Sequence, residues 1–92
     1  MYQSYKMKLV NVYNQETIRE ETYQEPDVIL NFLENFEDTK DSTDEMYLFD
    51  SEMRTLLAKY VSYSKKSNGN TLIYRLFFKT RISEYQFPVE KS

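Results

Sequence analysis

Residues 42–69 constrain the fold most. The stretch opens Ser42-Thr43-Asp44-Glu45, carries apolar side chains at Met46, Phe49, Met53, Leu56, Tyr60 and Tyr63, and closes Lys65-Lys66-Ser67-Asn68-Gly69. Apolar steps of 3, 4, 3, 4 and 3 residues are the spacing of a helical seam. They predict one long amphipathic helix over about 43–66. Leu57 widens the stripe toward a globular core face. Ser42 with Glu45 three residues later reads as a capping box. Asp50 precedes Arg54 by four, the favoured order for a helical ion pair. Acids come early and Lys59, Lys65 and Lys66 late, as the helix dipole prefers. Gly69, the single Gly of the chain, is the helix stop. A rival reading divides the segment. Met46-Tyr47-Leu48-Phe49 is also a short strand candidate, with Asp50 or Ser51 capping a shorter helix from residue 51. Tyr47 and Leu48 lie off the seam and favour the rival. The single helix is preferred because capping box and periodicity agree.

The other segments must pack against that element. Tyr5, Met7 and Leu9 alternate with Lys6, Lys8, Val10 and Val12, and Asn14-Gln15 breaks the run. Residues 17–23 are β-branched and polar, so the two segments read as an antiparallel hairpin. Glu20 and Glu21 suit an edge strand or one with a wet face. Pro26 starts a helix over about 26–37, with Asp27 in its first turn. Val28, Ile29, Phe32, Leu33 and Phe36 form its stripe. Residues 71–82 alternate most clearly. Leu72, Tyr74, Leu76, Phe78 and Ile82 share one face, and Ile73, Arg75, Phe77, Lys79 and Arg81 share the other. A short extension at Tyr85 and Phe87 stops at Pro88. The expected architecture is a small α+β fold, one domain over 1–92, with residues 1–4 and 89–92 frayed. It has an N-terminal β-hairpin, two helices and a long C-terminal strand (71–82). The sheet is three- to four-stranded and antiparallel, with both helices on one face.

Ninety-two residues allow one domain and a small core, burying about 60–65% of the unfolded surface. The chain has neither Cys nor His. That removes disulfides, thiolate metal sites, thiol nucleophiles and the commonest general base. No Gly-rich phosphate loop, nucleophile elbow or metal-ligand cluster is present. The residues between Glu34 and Glu45 lack the Gly and the acid spacing of a calcium loop. The expectation is a non-enzymatic protein with no cofactor and no metal. The N-terminus lacks an apolar signal core, and no apolar run reaches membrane-spanning length. A cytoplasmic protein without a membrane partner is expected.

Function must then come from surface chemistry. Residues 1–52 hold 13 acids against 4 bases, a net of −9, and residues 53–92 hold 8 bases against 2 acids, a net of +6. Such polarity gives separate binding faces or halves that neutralise each other. Glu34, Glu37, Asp38, Asp41, Asp44 and Glu45 form an acidic candidate surface for a protein partner, in the manner of a nucleic-acid mimic that occupies a cationic groove. Nine Tyr add contact capacity. The first functional expectation is therefore a small binding or inhibitor protein. The alternative is a nucleic-acid-binding module using Lys65, Lys66, Arg75, Phe77, Lys79 and Arg81. Its bland counterpart is pairing of those cations with Glu20 and Glu21 across strands. A third expectation is an oligomeric structural protein built on the 42–69 seam, so that monomer and homodimer both stay open. Tyr47, Leu48, Val61 and Phe77, if exposed together, would form an apolar interface patch.

Gln15-Glu16-Thr17-Ile18, Ser42-Thr43-Asp44-Glu45 and Ser67-Asn68-Gly69 resemble fragments of the phage uracil-DNA glycosylase inhibitor, an acidic DNA mimic. The resemblance would imply a carboxylate-bearing strand inserted into an enzyme's DNA groove. It covers 11 of 92 residues with several gaps, and no family is assigned on it. In composition the chain also resembles small accessory proteins of phages and plasmids.

Overall fold

The computed structural model describes residues 2–82. Met1, the expected extension at Tyr85 and Phe87, and the expected frayed end at 89–92 lie outside the described residues. The elements are β1 (Ser4–Asn11), β2 (Thr17–Tyr23), α1 (Asp27–Asp38), β3 (Met46–Phe49), β4 (Thr55–Asn68) and β5 (Thr71–Ile82). They form an α+β domain with one five-stranded sheet in the order β2-β1-β5-β4-β3. Neighbouring strands are antiparallel except β1 and β5, which run parallel.

The N-terminal hairpin, the first helix and the strand over 71–82 are found where the sequence places them. Pro26 precedes α1, its carbonyl accepts from the Leu30 N–H at 2.9 Å, and Asp27 lies in the first turn. Two expectations are corrected. The helix over 43–66 does not exist: its residues form β3, a turn and most of β4. The sheet is accordingly five-stranded and mixed, covered by one helix. The rival reading was right about the Met46–Phe49 strand and wrong about a helix from residue 51.

The cause of the misreading is a β-bulge. Tyr60 pairs with Phe78 and Ser62 pairs with Phe77, so Val61 is an extra residue in β4. Before the bulge, Leu56, Ala58 and Tyr60 share the face of the β5 core residues. After it, Tyr63 opposes buried Leu76 and takes that face. Leu56, Tyr60 and Tyr63 thus step by 4 and 3, which is also the helical spacing. Met46 and Leu48 of β3 pack against the same core, whereas Met53 is 61% exposed in the turn. Ser42 makes no helix cap; its Oγ accepts from the Asp44 N–H at 2.9 Å in the linker. Gly69 stops no helix. At φ 62° it takes the first central position of the two-residue β4–β5 turn, where a II′ hairpin needs Gly.

α1 crosses one face of the sheet. Ile29 and Leu33 are buried with Met7, Leu9, Ala58, Tyr60, Tyr74, Leu76 and Phe78. Phe36 stacks on Tyr60 at 5.6 Å between centroids and meets Phe78 edge-on at 5.3 Å. The Tyr60 hydroxyl donates to Glu37. Lys59 Nζ donates to the carbonyls of Thr39 at 2.9 Å and Lys40 at 3.1 Å, supplying the cation that the last turn of α1 lacks. The opposite face of the sheet carries no helix among the described residues.

Two outcomes check this account. Gly69→Ala should cost about 1 kcal/mol through left-handed backbone strain alone, because open space surrounds the new Cβ. Gly69→Asn should recover only part of that loss in urea unfolding. Burial, and then its bond to Glu37, raises the Tyr60 pKa above its ordinary value. Its neutral form therefore supports the fold below about pH 10, and that support fades as pH rises toward the folded pKa. Tyr60→Phe should flatten the alkaline limb of a stability–pH curve.

Candidate functional site

α1 and the open face of the sheet carry charge of opposite sign, with Glu20 the acid in register with that face. α1 reads Asp-Val-Ile-Leu-Asn-Phe-Leu-Glu-Asn-Phe-Glu-Asp and carries no base. Asp27, Glu34 and Asp38 are exposed on it, and Asp41 and Asp44 are exposed in the linker. Val28 and Phe32, 42% and 40% exposed, flank these acids on one side as an apolar shoulder, and Leu30, 46% exposed, flanks them on the other. Six apolar residues in a twelve-residue helix exceed what one stripe can bury. The sequence reading assigned Val28 and Phe32 to the core and so missed this apolar shoulder. That surplus was the available signal.

The six expected acidic residues do not act as one array. Glu37 accepts from Tyr60, and Glu45 receives Arg81 through Nη2 at 2.9 Å and Nε at 3.2 Å. That hydrogen bond from Arg81 holds the Glu45 carboxyl below its ordinary pKa. Glu34, Asp38, Asp41 and Asp44 remain as exposed carboxylates without an ion pair among the described residues.

On the uncovered face, β5 lies between β1 and β4. Lys8 is directly opposite Arg75, Val10 opposite Phe77, Ser64 opposite Arg75 and Lys66 opposite Ile73. Lys66, Arg75, Phe77 and Lys79 therefore share one surface, as expected. Lys65 does not join them, because it opposes the core-face residue Tyr74. Arg81 shares the face but is bound to Glu45. Lys8 joins the group and was missed, because nothing in the sequence signalled that β1 pairs with β5. Its place opposite Met7 and Leu9 in the alternation was legible. The expected pairing of Glu20 and Glu21 with β5 does not occur, although Glu20 stands opposite Lys8 of β1 on this face. β1 separates β2 from β5; Glu20 pairs with Lys6 at 3.1 Å, and Glu21 lies near Arg19 at 3.4 Å on the helix side. The expected apolar patch is divided: Tyr47 and Phe77 stand on the open face, while Leu48 packs into the core.

A third feature is the turn between β3 and β4. Asp50 Oδ1 accepts from the backbone N–H of Glu52 at 2.9 Å and of Arg54 at 2.8 Å, and Oδ2 accepts from Arg54 Nε at 2.8 Å. The Asp50–Arg54 pair expected on a helix thus exists, but it folds a turn. The Ser51 N–H donates to the Ile18 carbonyl at 3.1 Å, which brings this turn against β2 at the far edge of the sheet. The sheet is therefore curled, and a cleft of about 410 Å³ opens between Asn11, Thr17, Asp50 and Arg54. Burial raises the Asp50 pKa, but the two N–H donors and Arg54 outweigh it, and the net shift is downward. These bonds make Asp50 a structural brace of the turn.

Among the described residues, no group of three or more acids could hold a metal ion, and no helix is long and apolar enough to cross a membrane. Comparison with protein-family models, curated proteins and solved structures gives no match to this chain.

The brace has a pH signature. Asp50 titrates lower in the folded than in the unfolded state, so its support is present above about pH 4 and is lost as pH falls through the folded pKa. Asp50→Ala orphans two backbone donors and should cost about 2 kcal/mol at pH 7. Asp50→Asn should cost less, and its deficit against wild type should shrink on acidification in urea titrations.

Proposed function

We propose that the protein is a small, non-enzymatic binding or inhibitor module that docks the outer face of α1 on a cationic, partly apolar protein surface. The observation that carries this reading is the composition of that face: Val28, Leu30 and Phe32 exposed among Asp27, Glu34 and Asp38, with no base on the helix. Exposed large apolar groups rimmed by charge mark contact surfaces. Glu37 is accounted for by its bond to Tyr60, but Glu34 and Asp38 oppose the helix dipole without an ion pair among the described residues, and Lys59 reaches only the carbonyls of Thr39 and Lys40. Those two unpaired acids favour a partner that supplies positive charge. Proteins whose own groove is cationic because it accepts nucleic acid fit that description, and occupying such a groove would inhibit them. No catalytic step is assigned.

Affinity capture from a lysate of the encoding organism tests the reading when four forms run in parallel. They are wild type, Glu34→Lys with Asp38→Lys, Phe32→Ser, and Arg75→Glu with Lys79→Glu. The expected result is a captured protein reduced at least about 10-fold by both helix variants, as for loss of an interface hot spot, and unaffected by the sheet variant. Circular dichroism confirms that each variant is folded. Identical capture by all four forms, or loss confined to the sheet variant, would remove the proposal.

A further inference from the structure

The uncovered sheet face breaks a rule that the rest of the protein obeys. Cross-strand neighbours of like charge destabilise a sheet. Here Lys8 faces Arg75 across β1–β5, and Lys59 faces Lys79 across β4–β5. Lys59 relieves its contact by reaching to the carbonyls at the end of α1. The others have no such outlet: Lys8, Lys66, Arg75 and Lys79 have no carboxylate in ion-pair range among the described residues. Glu20 stands opposite Lys8 across β1–β2, but Lys6 holds its carboxylate at 3.1 Å, and no acid stands opposite Lys66, Arg75 or Lys79 in the strand register.

The geometry around them is specific. Lys8, Lys66 and Arg75 line a concavity of about 310 Å³, with the amides of Gln15 and Asn68 at its margin. The Arg75 guanidinium lies over the Phe77 ring, 5.5 Å from its centroid. Phe77 is half-buried, and Val10 opposite it is buried beneath the long side chains. Lys79 stands four residues along β5 from Arg75, about 13 Å at strand spacing. The face is thus a cationic pocket, a flat guanidinium–aromatic platform and a second cation, in a line along one strand.

We infer that this face binds the sugar–phosphate backbone of a single-stranded nucleic acid, with Lys8, Lys66, Arg75 and Lys79 on phosphates and the Arg75–Phe77 pair under a base. A chain of anions repeats charge along its length as the cations do, and guanidinium planes and aromatic rings both stack on exposed bases. An acidic peptide supplies the anions without the planar group. A duplex hides its bases and is read by a helix or free β-ribbon in the major groove. The β4–β5 hairpin is no free ribbon, because β1 pairs with β5 right up to the turn. The site is independent of the α1 face.

Fluorescence anisotropy with labelled oligo-dT and oligo-rU of about 12 nucleotides, a length within the usual single-strand site sizes, tests the inference. Four phosphate contacts predict a slope of log affinity against log salt near about −3 for the wild-type protein. Arg75→Glu with Lys79→Glu should weaken binding at least about 10-fold and halve that slope. Phe77→Leu should weaken binding about 10-fold with the slope unchanged, as expected for a stacking partner. Glu34→Lys with Asp38→Lys should not weaken it. Absence of binding by wild type at about 50 mM salt, where electrostatic binding is strong, overturns the inference. So does equal or tighter binding to a duplex of the same length, to polyglutamate or to vesicles of anionic lipid.

Discussion

The helix side of this protein depends on where Tyr60 is held. Its ring lies between Phe36 of α1 and Phe78 of β5, its hydroxyl bonds Glu37, and it is 1% exposed. The residue before it, Lys59, closes the C-terminal end of α1. The residue after it, Val61, is the bulge. Three consecutive residues of β4 therefore set the position of the helix, satisfy the carbonyls just past its end and change the parity of the strand beyond. Bulges increase local twist. Here the curl brings the β3–β4 turn far enough round for Ser51 to bond Ile18 of β2.

That bulge also explains how much of the fold was legible. β5 was read over its full length because Leu72 to Phe78 keep strict alternation, and no tertiary contact was needed to see it. α1 was legible from Pro26 and its apolar stripe. β4 was not, because the extra residue at Val61 turns a period of two into steps of four and three. Gly69 misled for a related reason: a positive φ serves a helix stop and a hairpin turn equally well. Asp50 with Arg54 was the right pair in the wrong element, since spacing of four closes a helical turn or a short loop. The pairing of β1 with β5 left no local trace, as it joins residues nearly seventy apart. The open face was therefore legible as a cationic strand face, but the contribution of Lys8 and the loss of Arg81 to Glu45 were not.

The charge asymmetry of the sequence becomes in part a layering of the structure. Arg54 with Asp50 and Glu52, and Arg81 with Glu45, link the halves at one end of the sheet. The acids of α1 lie on the helix side and Lys66, Arg75 and Lys79 on the other face, whereas Glu20 shares the open face with Lys6 and Lys8 and the linker at Thr43 and Glu45 borders Lys79. Cross-strand stability accounts for Glu20 beside Lys6 and Lys8, but not for Lys8 opposite Arg75, because like charges across a strand pair are unfavourable.

Net charge is then the wrong measure of what this protein can attract. The overall −3 argues against anion binding only if the acids and cations act at the same place. A helix layer packed on a sheet puts charges on its outer side on the order of 10 Å or more from the opposite face, and the Debye length at physiological salt is about 8 Å. Screening through solvent around the sheet therefore weakens the influence of Glu34 and Asp38 on an anion beside Arg75. Two carboxylates border the cationic line: Glu20, opposite Lys8, is held by Lys6, and Glu45 is held by Arg81. What an approaching phosphate meets is the local field of Lys8, Lys66, Arg75 and Lys79, and a basic protein surface approaching α1 meets the opposite field. One sheet thickness lets a small acidic chain present both.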